Sequence, residues 1–157
     1  HTPAEEVLSY SPDGIMLSNG PGDPAENTQI IHEIGNLYQS GVPIFGICLG
    51  HQLLALSQGG KTVKLKYGHR GANQPVRDIS TGRVYITSQN HGYAVDSDAL
   101  PSHAQVSMVN ANDGTCEGIV YENAPVFTVQ FHPEACGGPL DTQFLFDQFI
   151  KRMEEMR

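Results

Sequence analysis

The pentapeptide Gly46-Ile-Cys-Leu-Gly50 constrains this chain more than any other stretch. It follows Val42-Pro-Ile-Phe-Gly-Ile47, a near-continuous apolar run of the kind a strand covered on both faces needs. It leads into residues 49–58, a helical stretch that stops at Gly59-Gly60. A cysteine between two glycines at the junction of a buried strand and a helix has the form of a nucleophile elbow. The glycines let backbones approach closely at a sharp turn, and the nucleophile is held in a strained conformation. A helix beginning at Leu49 directs its N-terminal dipole at the sulfur and favours the thiolate, the reactive species. Alone, the pattern fits a small buried cysteine at a strand end equally well.

The surrounding pattern places that turn in an α/β fold. Residues 13–18 read as a second buried strand running into the loop Asn19-Gly-Pro-Gly-Asp-Pro24. Ile30, Ile31, Ile34, Leu37 and Tyr38 then share one helical face, with Gly41 where a C-cap glycine belongs. Strand, helix, strand, helix implies a parallel sheet with helices on its faces. Further short strands are expected at 61–66, 83–88, 105–110, 116–121 and 126–131, with a tight turn at Asn112-Asp-Gly114. Asp141 reads as the N-cap of a closing amphipathic helix that carries Leu145, Phe146, Phe149, Ile150 and Met153. The expectation is one α/β domain over residues 1–157, with an open, mostly parallel sheet and flanking helices.

Composition removes several function classes. The net charge of −8 opposes nucleic-acid binding, which needs a basic surface. No apolar run approaches the roughly 20 residues of a membrane helix. No signal peptide is visible at the start, so a cytoplasmic location is expected. Cys48, Cys116 and Cys136 form no C-x-x-C pair, which suits a reducing compartment with at most one reactive thiol. The seven histidines form neither H-x-x-x-H nor H-E-x-x-H, and no metal site is expected.

His132-Pro-Glu134 follows the last expected strand, on the edge of the sheet where the elbow also lies and where α/β sites form. Glu134 can accept one imidazole N–H and fix the tautomer, leaving the other nitrogen to activate Cys48. A surface histidine in a turn would look the same. A thiol attacking an amide generates an oxyanion that needs preorganised donors. The Leu49 N–H and the glycines of Asn19-Gly-Pro-Gly22 are the candidates, although that loop also reads as an ordinary turn.

Phe45-Gly-Ile-Cys-Leu-Gly-His-Gln52 with Gln130-Phe-His-Pro-Glu134 resembles the class I, or triad, glutamine amidotransferases. Leu17-Ser-Asn-Gly-Pro-Gly-Asp-Pro24, Gly68-His-Arg-Gly-Ala-Asn73 and Thr87-Ser-Gln-Asn-His-Gly-Tyr93 narrow the resemblance to the small, glutamine-hydrolysing chains of carbamoyl-phosphate synthetases. The resemblance implies a flavodoxin-like sheet and a triad of Cys48, His132 and Glu134. It implies an oxyanion hole from the N–H groups of Gly22 and Leu49. Gly20, Gln52, Asn90, Gly92 and Tyr93 would hold the amino-acid end of glutamine. It further implies a heterodimer in which ammonia passes to a large ATP-dependent subunit. That subunit, using ATP and magnesium, would make carbamoyl phosphate for arginine or pyrimidine biosynthesis. No cofactor is expected in this chain. The family pattern has a strand, a helix and a second strand ahead of residues 1–8, so the domain reads as N-terminally truncated. The alternatives are a stand-alone cysteine γ-glutamyl hydrolase or another class I amidotransferase.

Overall fold

The apolar runs at 13–18 and 42–47 become two short neighbouring strands, β1 (Ile15–Leu17) and β2 (Ile44–Ile47). The structure is a computed structural model that describes residues 3–18, 23–133 and 144–155. All four residues of β2 are buried, as a strand covered on both faces requires. Before β1 lies a six-residue helix, α1 (Ala4–Ser9), too short to show a period in the sequence. Between the two strands runs α2 (Thr28–Gln39), which buries Ile34, Leu37 and Tyr38. Gly41, at φ +80°, turns the chain just beyond it.

After β2 come α3 (Leu49–Ser57), β3 (Thr62–Asp78), β4 (Val84–Val95), β5 (Ala104–Asn110), β6 (Cys116–Tyr121), β7 (Val126–Val129) and α4 (Phe144–Glu155). The expected N-cap Asp141 lies outside the described residues. The seven strands form one sheet in the order β1-β2-β7-β6-β5-β3-β4. β1, β2 and β7 are parallel, while the other four ladders are antiparallel. The open α/β sheet with flanking helices is as expected, but it is mixed: parallel pairing is confined to the three strands at one side.

β3 and β4 are far longer than the segments 61–66 and 83–88 that suggested them. The reason is local. Register shifts between Lys64 and His69, and again between Gly71 and Gln74, break the two-residue alternation from which strands are read. Gly68 and Gly71, at φ +73° and +106°, supply the left-handed backbone those irregularities need. The resulting ribbon reaches the carboxyl end of the parallel strands, where the His132 N–H donates to the Ser88 carbonyl at 2.9 Å.

Two apolar layers hold the sheet. On one face Ile44 meets Ile34, Leu37, Tyr38, Leu53 and Leu54 from α2 and α3. On the other, Phe45 stacks on Phe127 at 4.6 Å between ring centroids, and Phe149 of α4 covers both. Each buried aromatic of this size contributes about 1.5–3 kcal/mol by leaving water.

Candidate active site

Cys48 is the single residue between β2 and α3, and its backbone is strained, with φ +54° and ψ −108°. Its N–H donates to the Val129 carbonyl at 2.9 Å, while its own carbonyl accepts from Gln52 N–H at 3.2 Å. The turn is therefore tied to β7 on one side and to the first turn of α3 on the other. The flanking glycines are sterically required. A Cβ on Gly46 would lie 2.8 Å from Thr128 Cγ2, and one on Gly50 would lie 2.7 Å from Leu17 Cβ. Leu49 opens α3, where first-turn N–H groups have no partner within the helix.

β7 runs parallel to β2 with Ile47 opposite Val129, so Cys48 and Gln130 leave the sheet at the same level. His132 stands two residues further along the same edge. Burial lowers His91, and His132 is among the neighbours that add to that shift. Glu134, Gly20, Gly22 and Cys136 lie outside the described residues.

Cys48, Leu49, Gln52, Asn90, Gly92 and Tyr93 line one cleft of about 470 Å3. Asp23, Lys64, Arg70 and His91 complete its walls, giving the cleft both an acidic and basic groups. Gln52 donates from Nε2 to the Tyr93 carbonyl at 2.7 Å and to Gln130 Oε1 at 2.8 Å. Gln130 in turn directs Nε2 at the Cys48 sulfur, 3.7 Å away. This fully buried side chain links the nucleophile to the opposite wall, and sequence reasoning gave it no role. Its one signal is its place two residues before His132.

Beside the cleft wall lies a buried polar cluster that sequence reasoning also missed. Glu117 Oε2 accepts from Gln89 Nε2, and from Asn110 Nδ2 at 3.4 Å. Burial pushes its carboxyl up to about 8, while burial brings His91 down to about 4. His69 Nδ1 faces His91 Nε2 at 3.2 Å, and His69 Nε2 pairs with Asp113 Oδ2 at 2.7 Å. Of the described residues, His69, His91 and Glu117 are the group gathered closely enough to hold a metal ion, with candidate ligand atoms within 4.8 Å of one another. A third buried histidine, His51, contacts Thr128 Oγ1 through Nδ1 at 2.7 Å, and burial brings it down to about 3. Burial pushes the Cys116 thiol up to about 12, which leaves it without nucleophilic character.

The family model described as "Glutamine amidotransferase class-I" matches residues 1–152. The carbamoyl phosphate synthase small chain of Akkermansia muciniphila is 57% identical over 151 residues, covering 96% of this chain and 40% of that one. The chain of the same description from Methanocaldococcus jannaschii is also 57% identical, covering 96% of this chain and 42% of its own length. This chain thus spans about two fifths of the relatives it matches. No helix among the described residues is long and apolar enough to cross a membrane. A putative GMP synthase protein from Thermoplasma acidophilum superposes with a TM-score of 0.83 at 25% identity, covering 98% of this chain and 78% of its own. A glutamine amidotransferase from Thermotoga maritima shares the fold, with a TM-score of 0.67 at 21% identity over 92% of this chain and 65% of its own.

Proposed function

This chain belongs to the class I glutamine amidotransferase family, and from that premise we propose that it is the glutamine-hydrolysing part of a carbamoyl phosphate synthase small chain. The observation that carries the reading is the single cleft in which Cys48, on its strained turn, faces Gln52, Asn90, Gly92 and Tyr93.

In this reading the Cys48 thiolate attacks the carboxamide carbon of glutamine. The oxyanion is held by the N–H groups of Leu49 and Gly22. His132 gives its proton to the departing nitrogen, and ammonia leaves a γ-glutamyl thioester on Cys48. Water then attacks the thioester carbon, and His132 takes its proton. The C–S bond breaks, releasing glutamate and restoring the thiolate. Glu134 orients the imidazole, while Gly20, Gln52, Asn90, Gly92 and Tyr93 hold the amino-acid end of the substrate. The ammonia serves a large synthetase subunit, which is where ATP and magnesium act. No cofactor or metal takes part in this chain, and the assembly is cytoplasmic.

The test is Cys48→Ser in the complete protein with its synthetase partner. Glutamine-dependent carbamoyl phosphate formation should fall to background, because a serine hydroxyl is a far weaker nucleophile at neutral pH than a partly ionised thiol. Synthesis from added ammonia should be unchanged. If both activities fall together, the nucleophilic role is wrong. Brisk glutamine hydrolysis by the wild-type protein without any partner would favour a stand-alone γ-glutamyl hydrolase instead.

A further inference from the structure

The cleft wall formed by β4 is weakly held by its own backbone. Among the described residues β4 ends the sheet and pairs with β3 alone, and that ladder is interrupted: Tyr93 pairs with Lys64 and His91 with His69, with a register shift between. Gly92 lies in that interruption. Asn90 lies between Gln89 and His91 on β4 and Gly92 follows directly, so anchoring the Gln89 and His91 side chains fixes where Asn90 and Gly92 stand. Gln89 and His91 are buried, 3% and 7% exposed.

Their anchor comes from another strand. Glu117, on β6, engages Gln89 Nε2 through Oε2. The other end of the Gln89 amide, Oε1, lies 2.8 Å from His91 Nε2. His91 Nδ1 lies 2.7 Å from the Tyr93 carbonyl, the same oxygen that accepts from Gln52 in the cleft. A chain of polar contacts thus runs from Glu117 to the cleft wall. Every link is a hydrogen bond when the Gln89 amide turns its NH2 to His91 Nε2 and its oxygen to the Glu117 carboxyl O–H, because a neutral His91 that donates from Nδ1 to the Tyr93 carbonyl can only accept at Nε2. Glu117 is also costly where it sits: it is 0% exposed, and its Oε1 has no hydrogen-bond partner among the described residues. An apolar side chain of similar size would avoid that cost but would have nothing to offer Gln89.

We propose that Glu117 is a positioning residue for glutamine binding, acting through Gln89 and His91 to hold the Asn90–Gly92–Tyr93 wall. This rests on glutamine being the substrate of the cleft. The group needed at position 117 is a planar hydrogen-bonding one rather than a charge. Burial keeps the carboxyl mostly protonated near neutrality, so it can donate as well as accept, and a glutamine side chain there also has both an N–H and a carbonyl oxygen, one of which matches the end of the Gln89 amide that faces it.

The experiment is steady-state glutaminase kinetics on the complete protein with its synthetase partner. Glu117→Ala should raise KM for glutamine by about 5- to 50-fold, the effect of leaving buried partners unsatisfied, with kcat within about twofold. Glu117→Gln should restore KM to within about twofold of wild type. If Glu117→Ala fails to fold, Gln89→Leu breaks the same chain one link later and should give the same KM rise. An unchanged KM in both disruptive variants overturns the proposal, as does a loss of kcat and thermal stability at constant KM. A Glu117→Gln variant as impaired as Glu117→Ala overturns it too. So does a stoichiometric metal in the wild-type protein that Glu117→Gln lacks, which would make His69, His91 and Glu117 a metal site. Wild-type protein with no glutaminase activity would instead refute the function proposed above, a separate outcome.

Discussion

Two glycine-to-alanine substitutions in helices should move stability in opposite directions. Intrinsic preference favours alanine over glycine by about 0.5–1 kcal/mol in either helix. At Gly35, inside α2, an added Cβ meets nothing closer than Ser57 Cβ at 3.9 Å, so that preference should be realised. At Gly50, in the first turn of α3, the same methyl would stand 2.7 Å from Leu17 Cβ and 2.8 Å from its carbonyl carbon, and closer still to its carbonyl oxygen. Carbon atoms pack at about 3.5–4.0 Å, so the overlap is near 1 Å. Leu17 cannot simply yield, because β1 is laddered to β2 with Leu17 opposite Gly46. Overpacking of this kind costs about 1–3 kcal/mol, and with backbone as the obstacle the upper half of that range applies, so subtracting the helix preference leaves a net loss of about 1–2.5 kcal/mol. Urea unfolding of the complete protein at constant m-value should show Gly35→Ala with a raised midpoint and Gly50→Ala with a lowered one. Gly50→Ala should also slow glutamine hydrolysis, since separating β1 from α3 moves the Leu49 N–H. If Gly50→Ala proves as stable as wild type, the close approach of α3 to β1 is not what makes glycine necessary beside Cys48.

Gln130→Leu removes the donor 3.7 Å from the Cys48 sulfur and an acceptor of Gln52. Alkylation of Cys48 by iodoacetamide should slow about 2- to 10-fold, the worth of one hydrogen bond, and peptide mapping should find Cys116 unmodified in both proteins. The buried titrating groups give stability a definite pH shape. Burial raises the Glu117 carboxyl from 4.5 to about 8, so the folded state keeps a proton that the unfolded state releases. Its contribution is complete below about 4.5 and is lost as pH rises towards 8, by up to about 1.4 kcal/mol per unit. His51 and His91, lowered by burial from 6.5 to about 3 and about 4, act with the opposite sign, and stability falls as pH drops below about 6.5. Between about 6.5 and 8 the Glu117 slope stands clear of theirs, so the wild-type melting temperature should decline there and that of Glu117→Gln should decline less. Parallel declines in the two proteins would show that Glu117 does not carry that slope.

What the sequence determined by itself was local. Gly46-Ile-Cys-Leu-Gly50 specified a strand-to-helix turn because its constraints act within five residues: a strained cysteine, and glycines where backbones touch. The apolar face of α2 and the Asn112-Asp-Gly114 turn between β5 and β6 were legible for the same reason, since period and turn chemistry are written in neighbouring residues. Only the tertiary structure decided the rest. The β3–β4 ribbon has its alternation broken by bulges, and its inward face is polar at Thr87, Gln89 and His91, so no hydrophobic period could announce it. Its polar residues are buried because their partners come from distant strands. Gln89 meets Glu117 across 28 positions, and Gln130 meets Cys48 across 82. Such contacts leave no periodic trace in the sequence, because hydrogen bonds between side chains depend on where the sheet order brings β4, β6 and β7. The nucleophile could therefore be read from the chain, while the network that holds the wall opposite it exists only once the sheet has formed.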